Sequence, residues 1–132
     1  MARFLRRHKW AFAACALVLA VMVGCNSPPE VSNPLEPALA SGKPTIAEFG
    51  RGTCIPCKEM KPILQELASA YGDKLNVLII DVDDYRALTN QYGIMVIPTQ
   101  IVFDSSGNKI MSHIGFWPKE EIVAQLKDMG IN

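Results

Sequence analysis

The sequence predicts an α/β fold with a central four-stranded mixed β-sheet flanked by helices, and two patterns support this prediction. From residue 44 onward, short apolar runs typical of strands alternate with segments of helical spacing, in the order β-α-β-α-β-β-α. A long helix separates the first two strands, which predicts a parallel pair joined by a right-handed crossover. Four turn residues separate the last two strands, which indicates an antiparallel hairpin.

The first half of this pattern predicts two strands and the helix between them. TIAEFG (45–50) is apolar enough for a buried strand. Segment 55–71 has apolar residues at helical spacing, Gly72 supplies a stop, and Pro62 is expected to kink the helix. LNVLIIDV (75–82) is almost continuously apolar, which is typical of a central parallel strand covered on both faces.

The second half predicts a weaker helix over 84–92, ending at Gly93, and then the hairpin. TQIVFD and KIMSHI are its strands, and SSGN is the turn between them. Residues 118–129 form an amphipathic helix in which Pro118 suits the first turn. A short apolar patch at 35–42 predicts one or two helical turns before the core begins.

Charge is distributed unevenly along the chain. The formal net charge is zero, yet four of the thirteen basic residues precede residue 10 and the first acidic residue is Glu30. Beyond residue 24 the chain holds nine basic against thirteen acidic residues, a net charge of −4. This acidic body gives no reason to expect nucleic-acid binding.

Residues 1–24 have the features of a lipoprotein-type signal peptide. A basic start is followed by the uncharged run Trp10–Gly24, which is shorter than the roughly 18–20 residues that span a bilayer. An uncleaved signal anchor is the alternative. VMVGC (21–25) resembles the lipobox of bacterial lipoproteins, although Met22 stands where leucine is usual. The resemblance implies a lipid on Cys25, which would anchor the protein to a membrane of the cell envelope, facing the periplasm or the cell exterior.

Residues 25–43 are predicted to be the lipidated cysteine and a proline-rich tether, and the folded domain is expected over 44–132. The tether holds three prolines and no apolar periodicity in NSPPEVSNP, so at about 3 Å per residue it would hold the domain roughly 30 Å from the lipid. With Cys25 lipidated, the mature chain keeps two thiols, Cys54 and Cys57. An even pair outside the cytosol suits disulfide chemistry.

Cys54 and Cys57 lie between the first strand and the long helix. At the helix N-cap, the sulfur of Cys54 would face unpaired backbone N–H groups, including that of Cys57, which stabilise a thiolate and lower the pKa of the thiol. Cys57 lies one turn inside and is expected to be more buried. We therefore expect Cys54 to attack a substrate disulfide and Cys57 to resolve the mixed disulfide.

Two other chemistries are open for this pair. A zinc site needs four ligands, and beyond Cys25 the chain offers only His113 as a further Cys or His ligand. A structural disulfide across two residues closes too small a loop to stabilise the fold much. Thiol–disulfide exchange is favoured over both, and no metal or other cofactor is expected.

Through three features and the spacing between them, the sequence resembles the thioredoxin family over almost the whole of residues 44–129. They are CxPC at a strand–helix junction, Pro62 eight residues after Cys54, and the triplet Ile97-Pro98-Thr99. The resemblance implies a thioredoxin-like fold, protein disulfides as substrates and a cis peptide bond at Pro98.

The resemblance also implies a substrate-binding role for the residues around the cysteines and the cis proline. The backbone at Ile97 would pair with an extended substrate segment, and Thr99, Ile55 and Pro56 would line the same site. Tryptophans that cytosolic thioredoxins carry are replaced by Gly50 and Thr53, so the docking surface is expected to differ from theirs.

Glu48 lies six residues before Cys54, in an otherwise apolar strand. The family usually has a buried aspartate there, which relays the proton of the inner cysteine. The resemblance implies that Glu48, with a pKa raised by burial, has this role. A glutamate that reaches solvent at the strand end is the alternative. Ile79 replaces a lysine that is often paired with the buried acid.

The residues between the cysteines indicate the direction of electron flow. Strong oxidants of the family carry a histidine there, whereas Ile55 and Pro56 offer none, and Pro56 removes a backbone donor. The couple should lie nearer the roughly −270 mV of thioredoxin than the roughly −120 mV of the periplasmic oxidant.

These features together predict a monomeric envelope reductase. The resemblance to envelope thioredoxins suggests that a transmembrane thiol-reductant conduit of the cytochrome c biogenesis type supplies its electrons. Apocytochrome haem-binding cysteines or wrongly formed disulfides would be its clients. An envelope disulfide oxidase or isomerase, and a non-catalytic or copper-handling module of the same fold, are the alternatives.

Overall fold

The structure, a computed structural model, describes residues 32–132. The predicted signal peptide, Cys25 and the first part of the tether lie outside the described residues. The strands are β1 (Thr45–Gly50), β2 (Asn76–Asp81), β3 (Thr99–Phe103) and β4 (Lys109–Ile114). The helices are α1 (Leu35–Ala40), α2 (Ile55–Tyr71), α3 (Arg86–Gln91) and α4 (Lys119–Asp128), with a 3₁₀ turn at Gly72–Lys74.

The four strands form one mixed sheet in the order β2-β1-β3-β4. β1 pairs with β2 in parallel and with β3 antiparallel, and β3 and β4 form the antiparallel hairpin. The predicted α/β class, the mixed four-stranded sheet and the flanking helices are thereby confirmed.

The prediction that the run 75–82 is a central strand is wrong. Within residues 32–132, β2 lies at the edge of the sheet and pairs with β1 alone, whereas β1 and β3 each have a partner on both sides. Ile80 of β2 is fully buried, but Ile79 is 47% exposed, so one face of the strand is only partly covered. An apolar run reports the burial of one face of a strand and does not report how many strands flank it.

Side chains alternate between the two faces of β1, and each face has its own apolar core. On one face, Ile46 packs with the inner sides of α2 and α4. On the other face, Ala47 and Phe49 pack with residues of α1 and α3. Glu48 therefore lies on the face that carries Ile46, towards α2 and α4.

The packed unit begins before residue 44, within the segment predicted as a tether. Leu35 of α1 is 1% exposed and belongs to the core on the side of Phe49. Asn76 Nδ2 donates a hydrogen bond to the Ala38 carbonyl (3.0 Å) and so ties α1 to β2. Among residues 32–132, no helix is long and apolar enough to cross a membrane.

Candidate active site

Cys54 is the N-cap residue of α2, with extended backbone angles (φ −78°, ψ 122°). The backbone N–H of Cys57 donates to Cys54 Sγ at 3.3 Å, and the N–H of Lys58 donates to the Cys54 carbonyl at 3.1 Å. The sulfur thus occupies the place of an N-cap acceptor, where the helix dipole favours negative charge.

The two sulfur atoms lie at bonding distance, with the Cα atoms 5.3 Å apart, so the structure shows the oxidised state. Cys54 is half-buried, whereas Cys57 is only 7% exposed. An incoming thiol or disulfide can therefore reach Cys54 more easily than Cys57, and the greater burial of Cys57 agrees with the prediction from the sequence.

Gly50, the last residue of β1, allows β1 to approach the disulfide closely. A Cβ atom at this position would lie 3.2 Å from Cys57 Sγ and 3.6 Å from Glu48 Oε1. The inner sulfur and the carboxyl group therefore border the same small gap. Lys58, Lys61 and Asp81 line the opening of this gap to solvent.

Glu48 is 1% exposed, and neither of its carboxylate oxygens has a hydrogen-bond partner among residues 32–132. Burial disfavours the charged form and raises the pKa of Glu48 to about 7. A carboxyl group with such a pKa can give or take a proton near neutral pH. The alternative of a glutamate that reaches solvent at the strand end does not fit this burial.

The Ile97–Pro98 peptide bond is cis, and Pro98 is buried immediately before β3. Because Thr99 is opposite Phe49 in the antiparallel pair, Pro98 lies at the end of the sheet from which β1 runs into the cysteine loop. Thr99 Oγ1 donates to the Val96 carbonyl at 2.7 Å. Ile97 precedes the hydrogen-bonded ladder, which leaves its backbone outside the sheet pairing.

A cleft beside the cysteine loop is lined by Arg51, Ile97 and Met95, among others. Arg51 donates two hydrogen bonds to Asp83, from Nε to Oδ2 (2.6 Å) and from Nη2 to Oδ1 (2.8 Å), and so ties this loop to the segment after β2. The guanidinium lowers the pKa of the Asp83 carboxyl through these bonds. Arg51 is thus engaged with Asp83 and is not a free charge beside the thiols.

Large apolar side chains are exposed between the two cysteines and just before the cis proline. Ile55, between the cysteines, is 70% exposed, while Met95 and Val96, just before the cis proline, are 91% and 52% exposed. The sequence predicted Ile55 and Pro56 in this surface but did not single out Met95 or Val96. Their position within three residues of Pro98 was the signal that could have identified them.

Gln100 was also not predicted as a site residue from the sequence. This residue of β3 is fully buried and is opposite Glu48 on β1. A glutamine in the otherwise apolar run TQIVF was the available signal, but its neighbour becomes visible only once the strand register is known.

Comparison with known proteins agrees with this geometry. A family model described as Thioredoxin matches residues 31–128. Thioredoxin of Alicyclobacillus acidocaldarius is 41% identical over 92 residues, which cover 70% of this chain and 87% of that protein. Thioredoxin of Bacillus subtilis (strain 168) is 40% identical over 77 residues, covering 58% of this chain and 73% of the relative.

A plant relative extends the range of the similarity. The chloroplastic thioredoxin Y of rice (Oryza sativa subsp. japonica) is 36% identical over 87 residues, covering 66% of this chain and 51% of that protein. The match of the family model covers well over half of the chain and includes the cysteine pair. The chain therefore belongs to the thioredoxin family, and its Cys54–Cys57 pair makes it a thiol–disulfide oxidoreductase.

Proposed function

We propose that this protein reduces disulfide bonds of client proteins in the cell envelope, anchored to a membrane through a lipid on Cys25. The residues in the first turn of α2 support reduction as the direction of electron flow. Pro56 is at the second helical position and has no N–H, and neither residue between the cysteines can carry a charge. The Cys54 thiolate therefore lacks the stabilisation that makes a dithiol a strong oxidant.

The reaction begins with the reduced protein. The Cys54 thiolate attacks one sulfur of a client disulfide, forms a mixed disulfide, and releases the other client sulfur as a thiolate, which takes up a proton. Cys54 is suited to this step because it is the more exposed cysteine and lies at the helix N-terminus.

The second step returns the protein to the state seen in the structure. Cys57 gives its proton to the Glu48 carboxylate and attacks Cys54 Sγ, which forms the Cys54–Cys57 bond and releases the second client sulfur. Two electrons have then passed from the dithiol to the client. Two features support the role of Glu48 as the proton acceptor. Its carboxyl group borders the same gap as Cys57 Sγ, and its pKa of about 7 suits proton exchange.

Client binding is proposed to use the exposed apolar residues around the disulfide. An extended client segment would pair with the backbone at Ile97 and pack on Met95 and Ile55, with Pro56 and Thr99 lining the same site. The support is the exposure of Met95 and Ile55, together with the position of Ile97 outside the sheet ladder.

The partners follow from the proposed compartment. A transmembrane thiol-reductant conduit would restore the dithiol after each turnover, because an oxidising compartment supplies no reducing equivalents of its own. Apocytochrome haem-binding cysteines, as in cytochrome c maturation, and wrongly formed disulfides are the proposed clients. The lipobox-like VMVGC supports the anchor.

Two experiments test this proposal. The reduction potential of the Cys54–Cys57 couple, measured against a dithiol buffer, should lie nearer about −270 mV than about −120 mV, and a value above about −200 mV would favour an oxidase or isomerase. Expression of the full chain with Cys57→Ala should trap Cys54 in mixed disulfides with its clients. Cys54→Ser together with Cys57→Ala is the matched control, and a non-catalytic module would retain its function with Cys54→Ser alone.

A further inference from the structure

A row of four residues crosses the sheet at the level of Glu48. In register, Ile79 of β2 is opposite Glu48 of β1, Glu48 is opposite Gln100 of β3, and Gln100 is opposite His113 of β4. Directly opposed residues of an antiparallel pair have Cβ atoms about 4.5–5.5 Å apart and point to the same face. Gln100 is therefore the nearest polar neighbour of Glu48 within the sheet.

The two cores give independent evidence that these side chains share a face. Ile46 and Val102, two residues from Glu48 and Gln100 respectively, both belong to the core under α2 and α4. Phe49, the residue after Glu48, and Ile101, the residue after Gln100, belong to the opposite core. Glu48 and Gln100 thus lie on the same side of the sheet as Cys57.

Both side chains are buried without partners. Gln100 is 0% exposed, and neither its carboxamide nitrogen nor its oxygen has a hydrogen-bond partner among residues 32–132. The same is true of both oxygens of Glu48. Buried polar atoms in folded proteins are almost always paired, with each other or through ordered water. Glutamate and glutamine side chains on adjacent strands can meet through rotation of their terminal torsions.

We propose that the Gln100 carboxamide is the hydrogen-bond partner of the Glu48 carboxyl group, directly or through one shared water, and so positions that group to exchange the proton of Cys57. Gln100 touches no reacting atom and acts through Glu48. Its Nε2–H donates to the carboxylate, and its Oε1 accepts from the protonated acid. Because a hydrogen bond to a charged group is the stronger one, the carboxamide stabilises the carboxylate more than the acid.

Other ionisable groups face this pair and must be distinguished from Gln100. Lys58 and Lys61 of α2, with Asp81 and Arg51, line the opening beside Glu48. On the far side of Gln100, the ring of His113 stacks on Trp117 and its Nε2 is 3.2 Å from the Phe116 carbonyl. His113 is the competing partner for the carboxamide.

The pairing is tested by following the Glu48 carboxyl carbon by NMR across pH in the oxidised protein, where the cysteines do not titrate. Gln100→Met and Gln100→Leu remove the carboxamide at similar volume, and each should raise the pKa of Glu48 by about one unit. Ile79 lies on the other side of Glu48 in the same row, and Ile79→Leu should leave the pKa of Glu48 unchanged. In the wild-type protein, the Gln100 side-chain amide signals should shift with the Glu48 midpoint.

The functional part of this inference rests on the proposed role of Glu48, and a separate assay tests it. At the pH of the wild-type Glu48 midpoint, a carboxyl pKa higher by one unit lowers the carboxylate fraction about fivefold, so Gln100→Met should slow disulfide exchange at that pH by about that factor. Glu48→Gln should slow exchange at least as much and should abolish the further effect of Gln100→Met.

Each outcome decides one part of the inference. A Glu48 titration that is unchanged in both Gln100 variants, or a shift of His113 in its place, overturns the pairing. If the Glu48 midpoint moves but Glu48→Gln leaves the exchange rate unaltered, the pairing stands and the proposed proton relay fails. Thermal unfolding of each variant shows that the altered titration comes from a folded protein.

Discussion

Gly50 lies so close to the disulfide that a Cβ atom there would be 3.2 Å from Cys57 Sγ and 3.3 Å from Cys57 Cβ. A real side chain rarely makes contacts this short, so the backbone of β1 and the first turn of α2 approach as closely as a glycine allows. Glu48, Gly50 and Cys57 also line one pocket on this side of the sheet.

Gly50→Ala should therefore destabilise the oxidised protein. The added methyl group forces α2 away from β1 by a few tenths of an ångström, and overpacking of this kind lowers the free energy of unfolding by about 1–3 kcal/mol. Chemical denaturation of the oxidised protein measures this change.

Gly52→Ala is the matched control, because a Cβ atom at Gly52 meets nothing within 4 Å and its φ is not positive. This variant should unfold like the wild-type protein. Equal stability of Gly50→Ala and Gly52→Ala would contradict the close approach.

Burial of Glu48 should make the stability of the protein depend on pH. In the unfolded chain the carboxyl has the ordinary glutamate pKa of about 4.5, and in the folded protein burial raises this pKa to about 7. Between these values the folded state retains a proton that the unfolded state has lost, so the free energy of unfolding falls as pH rises. The loss is complete above about pH 7 and amounts to about 3 kcal/mol, since one pKa unit corresponds to about 1.4 kcal/mol.

Denaturation of the oxidised protein at about pH 4.5 and about pH 8 tests this prediction, because the two values bracket the titration. Glu48→Gln should remove most of the decline, whereas Glu59→Gln, an exposed position on α2, should follow the wild-type protein. A wild-type protein whose stability is the same at both pH values would show that Glu48 is not held in an apolar environment.

Exposed Met95 should contribute to the binding of protein clients but not to the chemistry. Burying a methionine side chain on docking is worth about 1.5–3 kcal/mol when complete, and partial burial corresponds to a three- to tenfold loss of kcat/KM in Met95→Ser. Reduction of insulin measures this effect.

Ile110→Ser is the control for Met95→Ser. Ile110 is 47% exposed and lies in β4, away from the cysteine loop. Reduction of a small aromatic disulfide should be unchanged in both variants, because such a substrate needs no extended docking surface. A loss that is equal for insulin and for the small disulfide would place Met95 in the chemistry instead.

Local signals explain which parts of the fold could be predicted from the sequence. β1 and α2 have the predicted bounds, because a capping residue, an apolar period and Gly72 mark them within a short stretch of chain. α3 is shorter than predicted, beginning at Arg86, because its apolar pattern is weak. The edge position of β2 could not be predicted, since pairing with distant strands decides it.

The same distinction holds for the site. The cysteine pair and Ile97-Pro98-Thr99 are motifs that can be read within a few residues, so the sequence indicated them. Gln100 can be identified as a candidate site residue only from the strand register, which places it opposite Glu48. Residues whose role depends on a neighbour far along the chain are the ones that sequence patterns miss.

Pro56 should set the direction of electron flow, and Pro56→His should make the couple more oxidising. The substitution restores the N–H at the second helical position and adds a cationic ring beside the Cys54 thiolate, which stabilises the reduced form. One or two such interactions raise the reduction potential by about 30–60 mV, because about 30 mV corresponds to 1.4 kcal/mol for a two-electron couple. Equilibration with a glutathione buffer measures the change.

Pro56→Ala separates the two contributions of the histidine. It restores the backbone donor without the charge, so its potential should lie between those of the wild-type protein and Pro56→His. If both variants keep the wild-type potential, the missing donor at Pro56 does not determine the potential. The reductase proposal would then depend on the measured wild-type value alone.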